Sequence, residues 1–249
     1  MAKGLGHAFA VLALTLLTQL GGLAWLAALL LRRAIRLRGL AFLAAYAALW
    51  AAALVTAPLF GRVALPCTGA DLRSQSLLYC ALNRHYVTPA LRDLATDLAR
   101  ATAQAYPGTL TITLDAGFPF GPLPLLPHLS HDDGEKLDLA LYWAKDGSYL
   151  PGRSKSALGY WGYAAGPTQC PRRWTDLRWD MNGLNAALPD WHLDPPRLAF
   201  ALQWLANDPR TGKILIEPHI LQSLGLSHPK IRFQGCRAAR HDDHIHLEL

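Results

Sequence analysis

Charge is nearly absent from the first 61 residues of the sequence, which contain no acidic residue and only five basic ones. Residues 8–31 and residues 39–61 carry no charge at all. Each run reaches the roughly 20 apolar residues that a helix needs to cross a bilayer, so residues 1–61 are expected to form a two-helix transmembrane hairpin. A cleaved signal peptide is the alternative. It fits less well, because its apolar core is usually about 7–15 residues long and a second apolar run follows here.

The one cluster of charge in this region separates the two runs and consists of Arg32, Arg33, Arg36 and Arg38. Short cytoplasmic loops are enriched in arginine and lysine. This predicts that the loop is cytoplasmic and that the N-terminus and residues 62–249 lie outside. The sequence therefore predicts a multi-pass protein of the inner (cytoplasmic) membrane, with two spans and a domain in the periplasm or outside the cell.

The remaining part of the chain, residues 62–249, lacks this charge imbalance. It contains nineteen basic and eighteen acidic residues, so most of the formal net charge of +6 belongs to the anchor. No basic block interrupts it, which argues against a nucleic-acid partner. A length of about 190 residues is enough for one domain with a sizeable core. The composition carries no signal for an oligomeric state.

The sequence also lacks a C-x-x-C motif, which argues against a zinc knuckle. Its four cysteines, Cys67, Cys80, Cys170 and Cys236, all follow the second apolar run. Disulfides form and persist outside the cytoplasm, and four cysteines permit three pairings. We expect a local Cys67–Cys80 bridge and a long-range Cys170–Cys236 bridge, with four buried free thiols as the alternative.

Hydrophobic periodicity predicts a mixture of helices and strands in residues 62–249. Apolar residues recur at helical spacing in 91–105 and 195–206. The segments that read as strands are 109–115, 137–143, 213–217 and 244–249. A proline-rich loop at 117–127 and a Gly- and aromatic-rich stretch at 145–175 separate them, and a loop of such length is usually functional or mobile. Without a regular βαβ repeat, this order indicates an α+β fold.

Two short segments hold five of the ten histidines. P-H-L-S-H-D-D-G-E-K-L-D contains His128, His131 and Asp138, and H-D-D-H-I-H near the end contains His241, His244 and His246. Side chains at i and i+2 of a strand share a face, as His244 and His246 are expected to do. A carboxylate and two imidazoles suit catalytic zinc, whose fourth position holds a water that becomes a nucleophile near neutral pH. Surface histidines in polar loops are the alternative.

The spacing H-x-x-H-x6-D, followed far downstream by H-x-x-H-x-H, resembles that of the LAS metallopeptidases. This group includes lysostaphin-type enzymes, D-Ala-D-Ala peptidases and the hedgehog signalling domain, and the penicillin-insensitive murein endopeptidases match best in spacing. The resemblance extends loosely over residues 105–249, but only the two motifs are specific. It implies an LAS/hedgehog-like antiparallel sheet domain with a zinc site. The transmembrane hairpin is not part of the murein endopeptidase pattern, whose members are usually free periplasmic proteins.

The resemblance also implies a role for each residue of the two motifs. His131, Asp138 and His246 are expected to bind Zn2+. His244 is expected to act as a general base or to stabilise the transition state. His128 and His241 are expected to polarise the substrate or to support the metal ligands.

These features predict a membrane-anchored zinc peptidase that hydrolyses amide bonds in peptidoglycan peptides. One alternative is a zinc-containing module that binds or senses peptides or the cell wall without catalysis. Another is a structural membrane protein whose histidines bind metal weakly or not at all. Other divalent ions also fit two imidazoles and one carboxylate.

Several further residues have two interpretations each. Four aspartates are expected either to orient the metal-binding imidazoles or to be solvated: Asp132, Asp133, Asp242 and Asp243. Three aromatic residues are expected either to line a substrate groove or to pack beneath the long loop: Tyr160, Trp161 and Tyr163. Two arginines are expected either to bind a peptide carboxylate or to be exposed cations: Arg237 and Arg240. Asp115 is expected either near the site or as the end of its strand. His219 is expected to be structural, and Trp143 and Trp179 to lie in the core.

Overall fold

The structure of the protein is a computed structural model that describes residues 2–31, 37–171 and 182–249. Three arginines of the predicted cytoplasmic loop, Arg32, Arg33 and Arg36, lie outside the described residues, and so does Trp179.

The N-terminal part contains three helices, α1 (Ala2–Thr18), α2 (Gly21–Leu31) and α3 (Arg38–Thr56). A 3-10 turn, Ala57–Phe60, extends α3. The stretch Arg38–Phe60 corresponds to the second predicted span. By length and composition it is the one helical stretch among the described residues that could cross a membrane.

The first predicted span, residues 8–31, differs from expectation because it is not a single helix. It breaks at Gln19, whose φ of 62° lies in the left-handed region. α1 and α2 then run antiparallel. A Cβ at Gly22 would lie 2.7 Å from the carbonyl oxygen of Val11, so glycine permits this close approach. The Gly21-Gly22 pair was the local signal for the break, and the structure replaces the predicted two-helix hairpin with three helices.

The remaining described residues form short strands and five helices. The strands are β1 (Val63–Ala64), β2 (Leu72–Ser74), β3 (Tyr86–Val87), β4 (Thr111–Thr113), β5 (Lys136–Ala140), β6 (Trp143–Lys145), β7 (Ser148–Tyr149), β8 (His192–Leu193), β9 (Lys213–Leu215), β10 (Ile231–Arg232) and β11 (His244–Glu248). The helices are α4 (Leu77–Ala81), α5 (Pro89–Ala105), α6 (Asn182–Asn185), α7 (Pro195–Asn207) and α8 (Pro218–Leu224). The mixture of helices and strands confirms the α+β prediction at this level.

A six-stranded sheet in the order β10-β9-β11-β5-β4-β2 organises the outer part. Its middle pairings are antiparallel, as expected, whereas the edge pairs β10–β9 and β4–β2 are parallel. β11 lies in the middle, between β5 and β9, and its register sets His246 opposite Asp138. The two motifs of the sequence therefore meet through the pairing of β5 with β11.

The core lies on one face of this sheet, beneath α5 and α7. Thr88 caps α5 by accepting a hydrogen bond from the Leu91 N–H, and Asp194 caps α7 in the same way. Each cap is followed by a proline, which suits the first turn of a helix. Ile245 and Leu247 of β11 point into this core. Alternation along the strand therefore directs His244 and His246 to the opposite face.

Both expected disulfides are present. Cys67–Cys80 joins α4 to the segment after β1, and Cys170–Cys236 spans 66 residues of the chain. The predicted core position of Trp143 is also confirmed, since its exposed fraction is 2%.

Candidate metal centre

Three polar side chains converge on the face of the sheet opposite α5 and α7. Asp138 Oδ1 lies 2.8 Å from His246 Nδ1 and 3.4 Å from His131 Nε2. The two imidazole nitrogens are 3.3 Å apart. Tetrahedral zinc with bonds of about 2.0–2.1 Å separates neighbouring ligand atoms by about 3.3 Å. Two of the three separations match this value and the third is shorter, so the donor set fits a small divalent cation.

Each of the two imidazoles has a hydrogen-bond partner at the ring nitrogen that is turned away from Asp138. These partners determine which nitrogen of each ring is available to a metal ion. His131 Nδ1 lies 2.6 Å from the Ala116 carbonyl oxygen, which can only accept, so Nδ1 carries the proton and Nε2 is free to bind. His246 Nε2 lies 3.1 Å from Glu248 Oε1, which leaves Nδ1 free. Such outer partners orient metal-binding imidazoles. Glu248 was not predicted from the sequence, although its position two residues after His246 on a strand was an available signal.

The arrangement brings three electron-pair donors together, and His246 Nδ1 lies within hydrogen-bond distance of Asp138 Oδ1. Burial lowers the pKa of His246, but its hydrogen bonds to Asp138 and Glu248 outweigh burial and raise that pKa. Burial raises the pKa of Asp138, but the neighbouring His131 and His244 hold it well below its usual value. Both pKa shifts indicate that the space between His131, Asp138 and His246 attracts positive charge, either a proton or a metal ion.

His244 lies beside this point and is held by its neighbour in sequence. Its Nδ1 makes a short contact with Asp243, and its Nε2 lies 3.7 Å from Asp138 Oδ1. Asp243 in turn accepts a hydrogen bond from the Trp161 N–H. Of the four aspartates considered as partners of the imidazoles, Asp243 is the one that contacts a site histidine.

His128 contacts the other carboxylate oxygen of Asp138. Its Nδ1 lies 3.1 Å from Asp138 Oδ2 and 3.3 Å from Asp115 Oδ2, although the angles are not those of regular hydrogen bonds. Burial lowers the pKa of His128, but the two carboxylates outweigh burial and raise it to about 10. His128, His131 and Asp138 also form a group whose ligand atoms lie within 4.8 Å of one another and could hold a metal ion.

Two further residues, Arg84 and Tyr160, contact the carboxylates on this side of the cluster. Arg84 was not singled out from the sequence, and Tyr160 had two interpretations. The Arg84 guanidinium forms a bidentate ion pair with Asp115, in which Nε donates to Oδ1 at 2.6 Å and Nη2 donates to Oδ2 at 2.7 Å. The Tyr160 hydroxyl donates to Asp138 Oδ2 at 2.7 Å. Asp115 therefore lies near the site, and Tyr160 touches a candidate ligand. Nothing local in the sequence around Arg84 indicated this role, because its partner is 31 residues away.

His241 is buried within the same cluster. Its ring centroid lies 4.9 Å from that of His244 and 5.6 Å from that of His246. Burial and the neighbouring His244 lower the pKa of His241 well below its usual value, which favours the neutral imidazole. The six residues named by the two sequence motifs are thus brought together in one cluster.

The other weakly assigned residues lie outside the cluster. Asp133 pairs with Lys136, and Asp242 pairs with Arg240. The Asp132 carbonyl oxygen accepts a hydrogen bond from Arg62. His219 is buried, and neither of its ring nitrogens has a hydrogen-bond partner among the described residues.

A second group that could hold a metal consists of Cys67, Cys80 and His85. Because the two cysteines form a disulfide, neither offers a thiolate in this state. This leaves the histidine and aspartate cluster as the centre with available ligands.

A cavity of about 760 Å³ opens over the cluster. It is lined by the motif histidines and Asp138, and also by Tyr160, Trp161 and Tyr163, as one of the two expectations had it. Arg240 also lines the cavity, with its guanidinium carbon 3.9 Å from the Tyr163 ring centroid. The cavity is large enough for several residues of a peptide or a ligand of similar size.

No protein-family model matches the chain. No curated protein matches it either.

Proposed function

We propose that the protein is a zinc peptidase of the LAS type that hydrolyses amide bonds in peptidoglycan peptides. One observation carries the proposal. His131 Nε2, Asp138 Oδ1 and His246 Nδ1 meet within 3.4 Å, while the opposite ring nitrogens are occupied by Ala116 and Glu248. Three lone pairs at such distances repel one another unless a proton or a metal ion lies between them.

Zinc is the metal that this donor set suits best, since two imidazoles and one carboxylate leave a fourth position for water. Zinc bound there supplies a Lewis acid for the scissile carbonyl and lowers the pKa of its water. The same ligands accept other divalent ions, so the metal identity is part of the proposal.

The remaining residues of the cluster have roles that follow from their contacts. His244, oriented by Asp243, accepts the proton of the attacking water at Nε2. The water oxygen joins the carbonyl carbon, the C–N bond breaks, and His244 returns the proton to the leaving amine. His128, whose pKa is raised to about 10, supplies positive charge beside the oxygen that becomes negative. Neutral His241 packs against His244 and limits its movement.

We also propose that the chain is anchored in the inner membrane with its cluster in the periplasm or outside the cell. The apolar helical stretch Arg38–Phe60 and the two disulfides support this, because disulfides persist outside the cytoplasm. Since α1 and α2 run antiparallel, the start of α1 lies on the same side as the end of α2, which precedes the basic residues in the sequence. We therefore infer a cytoplasmic N-terminus, in contrast to the two-span expectation.

The test compares the full chain with Asp138→Ala and with Asp71→Ala, a control at an exposed aspartate. Each protein, purified in detergent, is incubated with peptidoglycan sacculi, and released muropeptides are identified by mass spectrometry. The expected result is new products from the wild type and the control only, abolished by a chelator. Bound zinc without products favours a binding or sensing module, and neither zinc nor products overturns the proposal.

A further inference from the structure

The rim of the cavity is unusually apolar for a domain outside the membrane. Five large apolar side chains of the described outer part are strongly exposed: Leu77, Leu78, Leu126, Leu129 and Leu158. All but Leu77 line the cavity, and these four exposed leucines are called its rim. Clusters of exposed apolar side chains mark binding or membrane surfaces, so the rim calls for an apolar ligand or environment.

The rim is attached directly to the helix proposed to span the membrane. The Tyr46 hydroxyl donates to the Ala81 carbonyl at 2.6 Å, and Trp50 Nε1 donates to the Cys80 carbonyl at 2.8 Å. Both acceptors belong to α4, which carries Leu78 of the rim. At 1.5 Å per residue, Tyr46 and Trp50 lie about 12 and 18 Å along α3 from Arg38. Both values are less than the ~30 Å thickness of the hydrocarbon core.

Two further contacts join the outer part to the N-terminal helices. At the tip between α1 and α2, Asn83 donates to the Thr18 carbonyl at 3.2 Å, and the Phe120 N–H donates to Gln19 at 3.0 Å. α1 contains 17 residues, so its tip lies about 25 Å from its start. All these heights fall within the ~30 Å thickness of the hydrocarbon core, so α4 with its leucines lies beside the anchor at the depth of the bilayer.

We propose that the substrate is a peptide covalently joined to a lipid chain, which enters the cavity from the adjoining bilayer. This inference rests on the proposed peptidase function, because the amide of the substrate must reach the histidine and aspartate cluster. The lipid chain lies between Leu78, Leu126 and Leu129 and continues into the bilayer. A soluble peptide of the same sequence lacks this contact. Burial of two methylene groups alone corresponds to about a tenfold gain in affinity.

The test uses the full chain in nanodiscs and two synthetic stem peptides, one carrying a hexadecyl chain and one carrying a methyl group in its place. For the wild type we expect kcat/KM to be at least tenfold higher for the hexadecyl peptide. We expect this ratio to fall towards one in the double variant Leu126→Gln/Leu129→Gln. Both leucine side chains are exposed, so the folding of the protein should not depend on them. Leu77→Gln, which changes an exposed leucine of α4 outside the cavity, should retain the ratio.

Binding of fluorescent versions of both peptides to the chelator-treated protein separates this inference from the proposed catalysis. A tenfold preference for the hexadecyl peptide that the double variant loses supports the inference even without hydrolysis. Equal cleavage of both peptides by the wild type overturns it while leaving the peptidase intact. A preference that persists in the double variant also overturns it, because the nanodisc rather than the rim then holds the chain.

Discussion

Replacement of Glu248 tests whether the lone pairs of the cluster converge as described. Glu248 accepts from His246 Nε2 at 3.1 Å, and this hydrogen bond, the largest cause, lowers the pKa of Glu248 to about 2. Loss of a hydrogen-bond acceptor that orients a metal-binding imidazole reduces metal affinity by about 10–100-fold, or about 1.4–2.7 kcal/mol. Gln retains an acceptor oxygen without the charge, so we expect about tenfold weaker zinc binding for Glu248→Gln. Ala removes both, and Glu248→Ala should approach 100-fold.

The assay is competition for zinc between the full chain and a chromophoric chelator at pH 7.5. Glu135→Ala serves as the control, because it removes an exposed glutamate that directly precedes β5. Its zinc affinity should equal that of the wild type. If Glu248→Ala binds zinc as tightly as the wild type, then His246 does not bind through Nδ1, and the argument for a three-ligand site fails.

Two further predictions concern the surroundings of the cluster. Burial raises the pKa of Asp115, but the hydrogen bonds from Arg84 outweigh it and lower the pKa to about 2. The folded-state pKa thus lies below the unfolded one, so the ionised carboxylate contributes about 2 kcal/mol of stability above pH ~4, lost as the pH falls through 2. In urea unfolding of metal-free protein, the advantage of wild type over Asp115→Asn should shrink between pH 5 and 2.5; a constant advantage would contradict this. Gly134 has a φ of +77°, and a Cβ there would lie 1.3 Å from Arg62 Nη1. Gly134→Ala should lower the unfolding temperature more than Gly108→Ala, which has a φ of +80° but open space around it, and equal losses would rule out the clash.

Local periodicity was sufficient to predict the part of the site that lies on strands. Alternation along β11 predicted that His244 and His246 share a face, and the pairing with β5 brings Asp138 opposite His246. The helix prediction for 91–105 corresponds to α5, because its capping threonine and its apolar spacing are encoded within one segment.

Features that depend on distant parts of the chain were not predicted. The ion pair of Arg84 with Asp115 and the hydrogen bond of Tyr160 to Asp138 join residues that only the folded topology brings together. The break at Gln19 was missed for another reason. Hydropathy measures composition over a window, and an apolar run has the same hydropathy whether it forms one helix or two.

The central position of β11 has a consequence for the order of assembly. This strand is the last of the described strands to be synthesised, yet it pairs on both sides, with β5 and β9. Until it inserts, the sheet has a gap in its middle, and His131 and Asp138 face no imidazole partner from β11. A nascent or prematurely ended chain therefore lacks the complete cluster, and assembly of the candidate metal centre coincides with the closure of the sheet.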